Sequence, residues 1–267
     1  MPAGRRQRVR RFASRFRYNR HWGGPAPVLA LHPAFGPNKS PTTAWDQSPY
    51  RHHGTWSGST TDRSVVTTRG RAWRVALANS DYLQCASPIV SGPPWAIAAW
   101  VRWDGSKTTS VEGTVFANGS GSPTSRTAVS VSIEDDRPHH LVVCSDGAVY
   151  QDGQYVGSAG AFSADSFVTY RYQPSNGKIN CLEWDTGENA RIGRATHAND
   201  YWDGLLWSVL VWTNVLPPAL ISDLYRSSLD GAPSSLWRRI VGRPVFGAAA
   251  GGFGGRVTVI GGGVKGG

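Results

Sequence analysis

The acidic run from Glu183 to Glu188 is the segment whose residue types and spacing could do chemistry. Its carboxylates, at Glu183, Asp185 and Glu188, fall in the pattern Glu-x-Asp-x-x-Glu. Hydrolysis of a glycosidic bond with retention needs two carboxylates about 5 Å apart, one as nucleophile and one as general acid and base. On a pleated strand with a bulge, which can bring the three carboxylates to one face, that chemistry would assign Glu183 as the nucleophile and Glu188 as the acid and base.

Two features of the same run argue against catalysis. Gly187 and Asn189 interrupt the strand that would have to hold the carboxylates in register. The run also precedes a strand signal at residues 190–192, so we expect it in a loop and not on a strand that lines a cleft. The sequence shows no Ser-His-Asp set, phosphate-binding loop or zinc-ligand spacing. We therefore predict that the protein is not an enzyme.

The same loop-rich half carries side chains that could bind a ligand without catalysis. Aromatic rings exposed on loops could stack on sugars, and the candidates are Trp184, Tyr201 and Trp202, with Tyr172 nearby in the sequence. Acidic loop residues offer hard oxygen donors for a calcium ion, and the weak candidates are Asp185, Glu188, Asp200 and Asp203. Their spacing is not diagnostic, so calcium is left open and no other cofactor is predicted.

Histidine and cysteine residues favour structural roles. His139 and His140 follow a turn and enter a strand, so we expect one ring to pack and the other to face solvent. Cys85, Cys144 and Cys181 are odd in number, and each has apolar neighbours. This pattern favours buried thiols over a disulfide or a metal site.

Charge is distributed unevenly along the 267 residues. Residues 1–45 carry nine basic side chains and no acid, residues 231–267 carry five and no acid, and residues 46–230 have a net charge of −4. The net charge of +10 therefore describes the two ends, and the central region does not resemble a nucleic-acid-binding domain. The sequence shows neither a signal peptide's apolar run nor a membrane-spanning segment.

These patterns predict a basic arm at 1–27, an all-β domain at 28–230 and a basic, Gly-rich tail at 231–267. We expect the arm to order only against a partner, which could be an acidic protein surface or nucleic acid. The arm residues predicted to bind that partner are Arg5, Arg6, Arg8, Arg10, Arg11, Arg15, Arg17 and Arg20.

Short strand signals separated by turns fill the central region. They occur at 72–77, 82–85, 96–103, 113–117, 128–133, 140–144, 148–151, 154–157, 190–192 and 205–211. Asp146-Gly147 and Asp152-Gly153 predict a tight meander over 141–156. Apolar residues occupy both the even and the odd positions at 96–101, which predicts a strand buried on both faces. One short helix is predicted from Pro217 to Tyr225.

The order of six motifs resembles that of laminin-G-like, concanavalin-A-like jelly-roll domains. The matching segments are 46–55, 97–101, 138–142 (with Pro138 where the family has Trp), 150–157, 192–194 and 202–204, the last followed by the short helix. The resemblance covers about residues 28–230 and implies an antiparallel β-sandwich with a helix after its last strand. Retaining glycosidases of the laminarinase type share this fold and carry the Glu-x-Asp-x-x-Glu pattern on a central strand, which makes that activity a less favoured alternative.

A basic arm, a jelly roll and a Gly-rich tail without a signal peptide together resemble a phage-encoded virion protein. This resemblance implies a non-enzymatic structural subunit, such as a capsid decoration, head fibre or tail-associated protein, made in the host cytoplasm and localised to the virion. Its expected partners are the major capsid protein and other virion proteins, in an oligomeric or assembly-bound state, with host-surface glycans also open. The alternative is a free carbohydrate-binding or adhesion module. Membrane insertion is not expected.

Overall fold

The computed structural model describes residues 24–33, 42–60, 63–105, 112–163, 166–196 and 199–229. The predicted anchoring arginines, Arg5 to Arg20, and the tail at 231–267 lie outside the described residues, so their roles stay predictions. Within the part that the structure describes, no helix is long and apolar enough to cross a membrane.

The described strands form two antiparallel sheets stacked as a jelly-roll β-sandwich, which confirms the predicted fold class. The eight-stranded sheet contains β1 (Leu29–Leu31), β4 (Ser64–Thr67), β5 (Gly70–Val75), β7 (Ala96–Trp103), β9 (His139–Cys144), β10 (Ala148–Gln151), β11 (Gln154–Ser158) and β14 (Gly204–Trp212), in the order β11-β10-β9-β7-β14-β5-β4 with β1 against β14. The six-stranded sheet contains β2 (Thr43–Ala44), β3 (Gly54–Ser57), β6 (Tyr82–Cys85), β8 (Gly113–Ser130), β12 (Phe167–Gln173) and β13 (Lys178–Ile192), in the order β12-β8-β13-β6-β3-β2.

Strand β7 is buried on both faces, as its continuous apolar sequence predicts. It lies between β9 and β14, and alternate side chains enter different clusters. Ile97 and Val101 pack in the core between the sheets, whereas Ala96 and Ala98 pack on the outer face of the eight-stranded sheet. The second cluster exists because helix α1 (Pro218–Leu229) covers that outer face with Leu224 and its neighbours.

The predicted meander is also present. Strands β9, β10 and β11 are joined by tight turns at Asp146-Gly147 and Asp152-Gly153 and pair in succession. Gly147 and Gly153 have φ values of +88° and +79°, a region where side chains other than glycine are strained. These glycines therefore act in the turns, as the Asp-Gly signals predict.

The division of the six-stranded sheet differs from the prediction. The strands predicted at 113–117 and 128–133 belong largely to one long strand, β8, and the strand predicted at 190–192 is the end of β13. Strand β13 has two parts with different partners. Its first half pairs with β12 and with the second half of β8. Its last residues pair with β6 and with the first half of β8. Strands β1, β2, β4 and β12 were not predicted from the sequence.

Asn118 and Gly119 form an Asn-Gly pair, a common hairpin-turn signal, yet they lie inside β8 for a structural reason. The amide oxygen of Asn118 accepts hydrogen bonds from the backbone N–H groups of Ile89 (2.5 Å) and Val90 (3.2 Å), so it secures a neighbouring segment. A Cβ on Gly119 would lie 2.7 Å from the Trp184 side chain. These two residues permit close packing within the sheet and do not reverse the chain.

All three cysteines are buried free thiols, as the sequence predicts. Burial raises the pKa of each thiol, Cys85, Cys144 and Cys181, to about 12. The reactive thiolate is therefore scarce at neutral pH.

Thiol labelling tests this burial. We expect a disulfide-exchange reagent at pH 8 to label the native protein at least about a hundredfold more slowly than the urea-unfolded protein, because both access and thiolate content are low. The unfolded protein should release three equivalents of chromophore, one for each cysteine. A rapid phase of one equivalent in the native protein would contradict the described burial.

Candidate functional site

The acidic run lies on strand β13 and not in a loop, so its predicted location is wrong. Register shifts at 183/184, 184/186 and 187/191 let β13 continue through Gly187, whose missing Cβ would lie 2.3 Å from the Phe167 ring. Glu183 is buried and accepts hydrogen bonds from the Ser163 backbone N–H (2.5 Å) and hydroxyl (3.0 Å), whereas Glu188 is exposed. A buried, hydrogen-bonded Glu183 and an exposed Glu188 do not resemble a matched catalytic pair, and the absence of enzymatic activity stays a prediction.

The predicted sugar-stacking aromatics are buried. Trp184 is 1% exposed, Trp202 0% and Tyr201 7%, and Tyr172 is also within the core. Trp202 packs edge-on against Trp103 with the ring centroids 5.2 Å apart. The prediction that these rings are exposed is therefore wrong, because the strands around the loop cover them, and no open ring face remains for stacking.

The weak calcium candidates are not gathered into one cluster. Asp185 and Glu188 are exposed on β13, and Asp200 forms an ion pair with Arg171. Among the described residues, no group of three or more His, Cys, Asp or Glu side chains has an arrangement that could hold a metal ion. A calcium site at Asp185, Glu188, Asp200 and Asp203 stays a prediction that these contacts do not favour.

His139 and His140 are both buried, which corrects the expectation that one faces solvent. His140 packs against the rings of Trp100 (5.3 Å) and Tyr225 (6.3 Å), and burial lowers its pKa to about 4. His139 instead lies between two carboxylates: Nδ1 is 2.6 Å from Asp152 and Nε2 is 2.8 Å from Asp135. Burial acts to lower the pKa of His139, but the hydrogen bonds to both carboxylates outweigh it and raise the pKa above its ordinary value.

This carboxylate clamp predicts pH-dependent stability. Because the folded-state pKa of His139 is raised, its stabilising effect is complete below the unfolded pKa of about 6.5 and is lost as the pH rises through the folded value. The variant His139→Gln should therefore differ most from the wild type in free energy of unfolding at pH 5, and the difference should shrink by pH 9. A difference that grew with pH in urea titrations would contradict the clamp.

An open pocket lies on the outer face of the six-stranded sheet, where β3 and β6 pair. We name it the β3–β6 pocket; its lining residues are His53, Thr55, Ser57, Gln84, Cys85 and Ala86, and its volume is about 260 Å³. Successive side chains of a strand point to opposite faces of the sheet. Because Trp56 and Leu83 point into the core, Thr55, Ser57 and Gln84 point outward and line the pocket. Hydroxyl, amide and imidazole groups thus surround a small apolar floor at Cys85 and Ala86.

The loop before β3 holds one wall of this pocket in place through Asp46. This buried carboxylate accepts hydrogen bonds from the backbone N–H groups of Ala30 (2.8 Å), Ser48 (2.8 Å) and His52 (2.7 Å), and from the Ser48 hydroxyl (2.6 Å). The loop is the segment whose sequence resembles the family's first motif. The role of this loop is structural. The Asp46 carboxylate joins the loop to β1 and holds the backbone of His52, which precedes the lining residue His53.

His53 presents a neutral imidazole to the pocket. Its Nδ1 accepts a hydrogen bond from the Asp46 backbone N–H (3.0 Å), which leaves Nε2 as the protonated nitrogen of the neutral ring. Burial lowers the pKa of His53, and the nearby Asp46 charge offsets this only in part. His53 is therefore a hydrogen-bond donor at neutral pH and not a cation.

An exposed aromatic ring flanks the pocket. Tyr50 is 60% exposed and stacks on His52, with centroids 6.1 Å apart and planes 5° from parallel. The His52 ring in turn contacts the hydroxyl of Ser87 (3.3 Å), the residue after Ala86 in the pocket floor. The loop thus supplies an exposed aromatic ring near the pocket in sequence, which was not among the predicted ligand-binding residues.

Comparisons with known proteins give similarity of architecture only. No family model matches the chain, and no curated protein matches it in sequence. Among solved structures, domain 4 of AbnA, a GH43 extracellular arabinanase from Geobacillus stearothermophilus in complex with arabinotriose, is 14% identical, with a TM-score of 0.48, over 74% of this chain and 97% of that one. The binding domain of Paraclostridial Mosquitocidal Protein 1 is 12% identical (TM-score 0.49), over 76% of this chain and 52% of that one.

Trypanosoma rangeli sialidase is a third similar structure. It is 13% identical, with a TM-score of 0.49, over 76% of this chain and 32% of that one. The chain therefore spans about a third of the sialidase and about half of the toxin domain. Identity this low does not transfer a function to the chain.

Proposed function

We propose that the protein is a carbohydrate-binding module of the adhesion type, whose ligand contacts the β3–β6 pocket. The observation that carries the proposal is the pocket's lining of uncharged groups that both donate and accept hydrogen bonds, at Thr55, Ser57 and Gln84. A sugar hydroxyl also donates and accepts, so such a lining satisfies it in either direction. None of the described lining residues carries an acidic side chain that could hydrolyse a glycan.

The size and shape of the pocket favour a small part of a larger ligand. A volume of about 260 Å³ lies at the lower end of the ~300–1,000 Å³ of typical small-molecule sites. One sugar residue would fill it, and the rest of the glycan would extend across the open face. The exposed ring of Tyr50 could then stack on a neighbouring sugar residue, as aromatic side chains do on apolar ring faces.

A matched pair of variants tests the site. We expect Gln84→Ala to weaken glycan binding by about tenfold, the cost of losing a hydrogen-bonding side chain that the ligand uses. Gln154→Ala is the control, because Gln154 is an exposed glutamine on β11, in the opposite sheet. A glycan array followed by calorimetry on the best ligand provides the readout. Equal losses in both variants, or no binding to any glycan, would refute the proposal.

A second candidate rests on the charge segregation of the sequence. The basic residues at 1–45 and 231–267 flank a central region of net charge −4, an arrangement that suits terminal segments anchoring a displayed domain. In this account the protein is a virion structural subunit, such as a capsid decoration, head fibre or tail-associated protein. Particles assembled with a protein lacking residues 1–27 should then show reduced occupancy, and wild-type occupancy would contradict arm anchoring.

A further inference from the structure

Two arginines converge on one tyrosine beside the β3–β6 pocket. Arg191 pairs in register with Gln84 of the pocket lining, and Arg194 follows three residues later. Their guanidinium groups lie 5.6 Å and 5.1 Å from the centroid of the Tyr82 ring, and Arg194 also lies 5.0 Å from that of Tyr201. We call Arg191 and Arg194 the arginine pair.

The arginine pair is continuous with the pocket. Tyr82 pairs in register with Ser57, a lining residue, on the same outward face of the sheet. The hydrogen bond with Ser57 lowers the pKa of Tyr82, burial acts in the opposite direction, and the charges of both arginines lower the pKa further. Two positive charges therefore lie beside Tyr82 at this side of the pocket.

Carboxylates on the neighbouring segments have other partners. Asp81 pairs with Arg63 (3.1 Å), and Asp200 pairs with Arg171, which also pairs with Glu112. Asp46 accepts four hydrogen bonds from its own loop and β1. Within the described residues, neither arginine of the pair forms an ion pair with a carboxylate.

Both guanidinium groups are held in place before any ligand arrives. Arg191 Nη1 donates to the carbonyl oxygens of Ala195 (3.4 Å) and Thr196 (3.1 Å), and Arg194 Nη2 donates to the side-chain oxygen of Asn199 (3.1 Å). Within the described residues, the buried Nε atoms of both groups have no hydrogen-bond partner. A fixed guanidinium loses little conformational entropy when it binds an oxyanion.

We propose that the glycan bound at the β3–β6 pocket is anionic, with a carboxylate or sulfate group that the arginine pair binds while its hydroxyls contact the pocket. This inference rests on the proposed function and adds the chemical class of the ligand. The ligand is a saccharide with isolated charges and not a polyphosphate chain, because residues 46–230 carry a net charge of −4 that would repel an extended polyanion.

The experiment compares ligands that differ only in charge. The probes are galacturonic acid with its methyl ester, sialyllactose with its methyl ester, and a monosulfated galacto-oligosaccharide with the same oligosaccharide lacking the sulfate. We expect the acidic member of at least one pair to bind about tenfold or more tightly than its neutral partner, with an affinity that falls as salt rises.

Variants then assign the charge recognition to the arginine pair. Arg191→Gln and Arg194→Gln should each remove most of the difference between acidic and neutral ligands, and Arg194→Lys should restore it only in part because lysine lacks the planar fork. Arg71→Gln is the matched control, since Arg71 is exposed on the opposite sheet. Melting temperatures of all variants separate lost binding from lost folding.

The outcomes separate this inference from the proposed function. Equal binding of acidic and neutral ligands, unaffected by the arginine variants, would overturn the anionic ligand and leave the glycan-binding function intact. Binding of no saccharide would overturn both. An oligonucleotide of matched charge that bound as tightly as the acidic saccharides would overturn the choice of a saccharide.

Discussion

Replacing Trp202 with alanine is expected to lower the free energy of unfolding by about 3–5 kcal/mol, the usual cost of deleting a large buried aromatic side chain. Trp202 is 0% exposed and packs against Trp103, which also contacts Tyr172 edge-on at 6.0 Å. The variant therefore leaves a cavity beside the Trp103 ring. Urea unfolding at fixed pH, followed by circular dichroism, measures the change.

The Trp202 variant also decides between two roles for this residue. Tyr155→Ala is the control, because Tyr155 is 59% exposed on the edge strand β11 and should change stability by about 1 kcal/mol or less. If Trp202→Ala instead kept its stability within that range and lost glycan binding, the residue would be the stacking platform that the sequence suggested, and the described burial would be contradicted.

The second large effect is expected at Asp46. Asp46→Ala would leave three backbone N–H donors without their acceptor, those of Ala30, Ser48 and His52. Each buried, unsatisfied donor costs about 1–3 kcal/mol, so we expect a loss of about 3 kcal/mol or more in the free energy of unfolding.

Asp146→Ala is the matched control for Asp46. The exposed carboxylate of Asp146 accepts a hydrogen bond from the Ala148 N–H (3.1 Å) in the β9–β10 turn, and we expect its loss to cost about 1 kcal/mol or less. Because the Asp46 carboxylate also holds the backbone of His52, the residue before His53, its replacement should reduce glycan binding even in conditions where the variant stays folded. Similar unfolding midpoints for the two variants would contradict the role assigned to Asp46.

The sequence predicted those parts of the fold that depend on local pattern. The unbroken apolar run of β7 and the Asp-Gly turns of the meander follow from burial on two faces and from backbone geometry, which short segments specify on their own. The long strands β8 and β13 could not be predicted in this way. Their small residues, Gly119 and Gly187, resemble turn signals, but each makes room for an aromatic ring from another part of the chain.

The candidate site was less accessible to sequence analysis than the fold. Trp184 and Trp202 are buried, although the sequence predicts exposed rings that bind a ligand. Their burial depends on strands that are far away in the sequence, so the local pattern does not show it. The β3–β6 pocket was missed because Thr55, Ser57 and Gln84 are ordinary polar residues on two strands separated by 24 or more positions. The available signal was the alternation of polar and apolar residues in both strands, which marks the polar members as outward-facing.

A nuclear magnetic resonance titration with the best glycan from the array tests the central claim most directly. If the β3–β6 pocket binds the ligand, chemical-shift changes of the backbone amides should concentrate at residues 50–57 and 82–87, and extend to 191–194 when the glycan is acidic. Changes concentrated on the eight-stranded sheet or helix α1, with residues 53–57 and 84–86 unaffected at saturation, would contradict it.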